Sequence, residues 1–145
     1  MSKYIPVKNM FDDIIDSREL VSRLEVLTDE RETLFDAMKE AKGKAKKAAA
    51  IEFNEWVDDY EEEWEDLKAI NEEGESLTSE WIHGETLIRE DYFTQYVQEM
   101  LEDCGDIPDG LAHYIVIDWE ATAENLKQDY VEIDIFGDTY YLRAN

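Results

Sequence analysis

The apolar positions of this chain fall into three sets with different spacing. From residue 17 to about 42, Leu20, Leu24, Leu27, Leu34 and Met38 recur three, four or seven apart, with Arg31 at the one skipped seam position. That spacing predicts a heptad helix opened by Ser17 as its N-cap. A second run, Phe53, Trp56, Val57, Tyr60, Trp64, Leu67 and Ile70, keeps a helical period and closes in the turn-like "NEEGE", predicting a second long helix. Between them, "MKEAKGKAKKAAA" sets Gly43 among lysines and alanines. The pair reads as an antiparallel hairpin with a lysine-rich tip. One uninterrupted helix is the alternative, because an interior glycine costs only about 1 kcal/mol relative to alanine.

From about residue 80 the pattern changes. "EDYFTQYVQEMLEDCG" puts Tyr92, Phe93, Tyr96, Val97, Met100 and Leu101 on one helical face and stops at Gly105, suited to a left-handed cap. "HYIVI" has the composition of a short buried strand, and "DWEATAENLKQ" predicts a helix started by Asp118 with Trp119, Ala123 and Leu126 inward. "YVEIDIFGDTYYLR" reads as two strands turning at Gly137 and Asp138. The expected fold class is therefore α+β. An N-terminal arm (1–16) precedes a long, coiled-coil-like helical hairpin with its tip near Gly43 (17–75), and a small α+β unit with a β-hairpin follows (76–145).

Composition adds a compartment. A chain of 145 residues that is 43% hydrophobic, with four Trp, eight Tyr and five Phe, can bury a core, and its aromatics argue against the disorder that a net charge of −24 would suggest. No apolar run approaches the roughly 20 residues that span a bilayer, and "MSKYIPVKNMFDD" has no apolar signal core, so a soluble, cytoplasmic protein is expected. The single cysteine, Cys104, permits no intrachain disulfide and is expected to be a small buried hydrophobe.

Charge then singles out the middle of the chain. Residues 1–51 hold ten acids and ten bases, 52–106 twenty and two, and 107–145 eight and two, so the three segments carry 0, −18 and −6. A surface of that sign repels phosphates, which argues against nucleic acid as its direct partner and favours a basic protein. Within "EFNEWVDDYEEEWEDLKAINEEGE", advancing about 100° per residue from Glu55 places Asp59, Glu62 and Asp66 within roughly 40° of it, while the aromatics cluster on the inward side. Nine carboxylates from Glu52 to Asp66 occupy about 21 Å of helix axis. Duplex DNA presents about one charge per 1.7 Å, so the helix approaches that line charge. Solubilising faces normally mix both signs. Here Lys68 is the only base between residues 52 and 88. Two readings stay open, a solvated face and a phosphate-mimicking one. On the second, the partner-binding residues are Glu55, Asp58, Asp59, Glu61, Glu62, Glu63, Glu65, Asp66, Glu72, Glu73, Glu75, Glu80, Glu102 and Asp103.

The segments "WIHGETLIREDYFTQYVQEMLEDCGDIP" and "HYIVIDWEATAENLKQDYVEIDIFGDTYYLR" resemble phage antirestriction proteins, and the latter's end is similar to the C-terminal domain of the ArdA antirestriction family. In that family a Tyr or Trp followed by Glu and Ala opens a helix, and a hairpin closes the domain. The matching positions are "DWEATA" (Asp118 to Ala123) and "YVEIDIFGDTYYLR". The similarity covers about residues 80–145, and the heptad hairpin with its lysine tip departs from the family pattern. The resemblance implies a phage or mobile-element inhibitor, a dimeric DNA mimic occupying the DNA groove of a type I restriction-modification enzyme. The same phage class contains inhibitors of CRISPR effectors, so the implied partner is a host nucleic-acid-binding defence protein of either kind.

Catalytic chemistry has little to stand on. His83, His113 and Cys104 are far apart in sequence, "IHGE" lacks a second histidine for a zinc pair, and "EIDIFGD" alternates like a strand and lacks most ligands of a calcium loop. No enzyme, cofactor or metal site is expected. A second function class is an oligomerising adaptor that binds a protein partner through the hairpin, using the seam Leu20, Leu24, Leu27 and Leu34 or the tip Lys39, Lys42, Lys44, Lys46 and Lys47.

Overall fold

A computed structural model describes residues 13–108 and 110–143. Most of the expected N-terminal arm, residues 1–12, lies outside the described residues. The chain then runs β1 (Ile14–Asp16), α1 (Ser17–Glu40), α2 (Lys44–Leu77), the single turn α3 (Trp81–Gly84), β2 (Thr86–Arg89), α4 (Phe93–Asp103), α5 (Trp119–Leu126), β3 (Tyr130–Ile135) and β4 (Asp138–Arg143). The class is α+β, with a long helical pair and a four-stranded antiparallel sheet of order β1-β2-β4-β3.

Helix α1 begins one residue earlier than its serine suggests. Asp16 is the N-cap and its carboxylate accepts from the Arg18 N–H at 2.9 Å. Ser17 is instead fully buried, its hydroxyl donating to the Trp81 carbonyl and accepting from the Glu85 N–H, both at 2.6 Å. Residues 41–43 make the hairpin tip, where Gly43 adopts φ 64°, a conformation that costs other residues a Cβ clash. The antiparallel sense follows from the cross-helix pairs Phe35 with Phe53, Thr28 with Trp64 and Leu20 with Asn71.

Helix α2 does not stop at "NEEGE" but continues through Gly74 to Leu77. Gly74 is there for space. A Cβ on it would stand 2.3–2.4 Å from the indole carbons of Trp81, a side chain with no solvent exposure. Trp81 donates its indole N–H to Asn71 Oδ1 at 2.7 Å, and the Asn71 amide donates to the carbonyls of Leu20 and Leu67. A buried polar residue is thereby satisfied on both sides, and it joins α1, α2 and α3.

The sheet separates two cores. On one face Ile15, Leu87, Ile133, Ile135, Tyr140 and Leu142 pack with Leu20, Leu27, Trp56, Leu67 and Ile70 of the helical pair. On the other, Ile88 and Tyr141 pack with Phe93 and Val97 of α4 and Ala123 of α5. Strand alternation makes this division, since Ile133 lies opposite Tyr140 on one face while Tyr141 lies opposite Ile88 on the other. The hairpin and the α4–α5 layer therefore sit on opposite sides of the sheet.

Two further expectations change. "HYIVI" forms no strand: residues 113–117 are irregular, and Tyr114 and Val116 are 77% and 88% exposed. The strands that complete the sheet are β1 and the doubly covered β2, whose runs "IID" and "TLIR" are too short for periodicity to reveal. The β3–β4 turn is one residue earlier than expected, because Ile135 pairs with Asp138 and the loop is Phe136 and Gly137. Both have positive φ, 49° and 89°, as a two-residue turn of this hand requires, and Phe136 is held there by packing on the hairpin-side core. The helices expected within 90–105 and 118–128 are present as α4 and α5, with Phe93, Val97 and Ala123 buried and Asp118 capping α5 through the Ala121 N–H.

Candidate functional site

The outward face of α2 is built by what its inward face must bury. Trp56, Leu67 and Ile70 are buried and Phe53, Val57, Tyr60 and Trp64 half-buried, so the residues between them are left to solvent. Of the fourteen carboxylates considered from sequence, α2 brings eleven onto one helix, and nine of these, Glu55, Asp58, Asp59, Glu62, Glu65, Asp66, Glu72, Glu73 and Glu75, are exposed. Glu80 is exposed in the turn before α3. Glu102 and Asp103 are exposed at the end of α4, in the layer across the sheet from α2, and so do not join its face.

Glu61 and Glu63 are the exceptions, because α1 claims them. The buried Arg23 guanidinium grips Glu63 at 2.6 and 3.0 Å. Arg31 bonds Glu61 at 2.9–3.2 Å while its guanidinium lies 4.4 Å over the Trp64 ring. Lys68 stacks against the same indole, also at 4.4 Å. These arginines were not legible as partners of particular acids, although Arg31 at a heptad seam position did mark a polar group facing the other helix. The carboxylates left without an ion pair among the described residues number seven between Glu52 and Asp66, or roughly one per 3 Å of helix axis. Tyr60 registers this field: burial, then the charges of Asp59 and Glu30, push its phenol above its ordinary range.

The order of charge along α2 opposes its own dipole. Its first turns carry Lys44, Lys46 and Lys47, where the positive N-terminal end favours acids, and its last turns carry Glu72, Glu73 and Glu75, where the negative C-terminal end favours bases. Its N-cap, Gly43, offers no side-chain hydrogen bond. Among the described residues, no three His, Cys, Asp or Glu side chains converge in a metal-binding group. Cys104, expected to be buried, is an exposed cap residue of α4, since the apolar face of that helix ends before it.

The protein family described as antirestriction protein (ArdA) matches residues 6–136. The chain belongs to the ArdA antirestriction protein family. The match takes in the helical hairpin, so the hairpin is part of the ArdA pattern and not a departure from it. Its base shares one core with the sheet, which gives the two parts a physical reason to be matched together. Membership places the chain among antirestriction proteins, which are inhibitors rather than enzymes. No curated protein and no solved structure matches the chain.

Proposed function

We propose that this ArdA protein inhibits a type I restriction enzyme by presenting the outward face of α2 to the enzyme's basic DNA-binding groove as a substitute for duplex DNA. The observation that carries this reading is the exposed, single-sign carboxylate series on α2, arranged against the helix dipole. A face selected only for solubility would mix signs, and one selected for helix stability would reverse its ends. Two acids are bound by arginines inside the hairpin, which fixes the azimuth of the helix, while those left over point to solvent. Glu55, Asp58, Asp59, Glu62, Glu65 and Asp66 are the first candidates for the phosphate positions. The place of action on this reading is the host cytoplasm.

The adaptor reading loses its main surface, because Leu20 and Leu27 are fully buried and Leu24 and Leu34 pack against the same core. The test is cleavage of a plasmid by a purified type I restriction enzyme, with the protein titrated at several concentrations of nonspecific duplex DNA. Inhibition that duplex competes away, and that weakens between about 50 and 200 mM salt, is expected. Inhibition indifferent to competing duplex would overturn the mimic.

A further inference from the structure

The outward face of α2 changes sign at the tip of the hairpin. Residues 39–47 hold five lysines, Lys39, Lys42, Lys44, Lys46 and Lys47, against one acid, Glu40. All five are exposed. Lys39 reaches Asp36 at 3.6 Å, and the other four form no ion pair among the described residues. Lys44 and Lys47 stand on the same stripe of the helix as the acids. Each lies 18 residues before an exposed carboxylate, Glu62 and Glu65 respectively, and 18 residues make about five whole turns. Lys47 and Glu55 are about 12 Å apart along the axis, with Glu52 as the one charge between them. That distance exceeds the Debye length of about 8 Å at physiological ionic strength, so a partner meets two poles and not their average.

We propose that the lysine tip docks on a carboxylate-bearing surface of the target protein at the end of its DNA groove, and so fixes which way round the acidic face enters that groove. This rests on the function proposed above. A groove basic along its whole length would attract Glu62 and Glu65 but repel Lys44 and Lys47 on the same line, so a helix lying in it needs the sign of the target to change where the tip falls. An acidic face alone would be nearly equivalent end for end. The tip makes the ends different, and the cost of setting like charges together rejects the reversed orientation. Phosphates of free nucleic acid are a poorer partner for the tip, because a polyanion approaching it also meets a chain of net charge −24. A carboxylate patch on the target is held beside the tip by the grip of the groove on the rest of α2.

The experiment compares two double variants of the full chain, Lys44→Glu with Lys47→Glu and Glu62→Gln with Glu65→Gln, for thermal stability and for inhibition of plasmid cleavage by a purified type I restriction enzyme. The lysine reversal puts acids at the positive end of α2, so its melting temperature should rise while its inhibition falls about tenfold or more. Opposite movements of the two readouts separate a lost contact from a damaged fold. Unchanged inhibition would mean that the tip stands in solvent, and stronger inhibition that it lies in a continuation of the basic groove; either overturns the proposal. Loss in the carboxylate variant alone would overturn the role of the tip and leave the groove reading standing. Loss in the lysine variant alone would remove the groove reading, and with it the place of the tip beside the groove. Binding of duplex DNA by the wild-type chain itself, abolished by the lysine reversal, would assign the tip to phosphates and overturn the carboxylate partner.

Discussion

Helices α1 and α2 are partners in one hairpin, yet they obey different rules. Helix α1 has a carboxylate N-cap, an acid in its first turn and a base in its last, as the helix dipole prefers. Helix α2 has a glycine cap without a side chain, bases at its start and acids at its end. Arg23 and Arg31 of α1 turn inward to bind Glu63 and Glu61, while most acids of α2 point outward and pair with no base among the described residues. The difference indicates that α1 is shaped for folding. Helix α2 draws its stability from packing on α1 and the sheet, and on the proposed function its charge order serves the surface it displays.

If α2 depends on packing, its anchors should be its most sensitive points. Gly74→Ala drives a methyl group into the Trp81 indole, with nothing flexible to yield, and should lower stability by about 3 kcal/mol in chemical denaturation. A wild-type denaturation midpoint would show that α2 holds itself. Arg23→Ala comes next, because it leaves the Glu63 carboxylate facing a buried gap, and a loss of about 2–3 kcal/mol is expected. Replacing both residues of that pair, Arg23→Met with Glu63→Gln, should recover most of it.

The caps sharpen the contrast on the other helix. Asp16→Ala should cost about 1 kcal/mol through loss of the α1 N-cap. The hydrogen bonds from Arg18 hold the Asp16 carboxyl below its ordinary 3.8, so its contribution is present above that pH and lost as pH falls through the lower folded-state value. The gap between wild type and this variant, followed by thermal unfolding, should close on acidification. The smallest effect has the opposite sign. Glu72→Gln, Glu73→Gln and Glu75→Gln together should raise stability by about 0.5–1 kcal/mol, as carboxylates leave the negative end of α2. A fall would mean that these acids are structural.

The hairpin was legible because each helix repeats its pattern for many turns, and Gly43 interrupts them once. The acidic face was legible for the same reason, since the positions of Trp56, Leu67 and Ile70 fix where Glu55, Asp59 and Asp66 must point. What remained hidden depended on contacts between distant residues. Arg23 and Arg31 withdraw Glu63 and Glu61 from the face, and only the packed hairpin shows which acids they select. The strands β1 and β2 carry three and four residues, too few for a period, and are strands because they pair with each other and with β4. "HYIVI" has every local mark of a strand, yet it pairs with neither edge of the sheet, whose strands are β1, β2, β4 and β3.

The account's central claim is that the charge on α2 serves its target at the expense of the fold. The most direct test replaces Glu55, Asp58, Asp59, Glu62, Glu65 and Asp66 with their amides and measures thermal stability and inhibition of a type I restriction enzyme on the same preparation. Relief of like-charge repulsion should raise the melting temperature while inhibition falls by about two orders of magnitude or more. Undiminished inhibition by a folded variant would contradict the account.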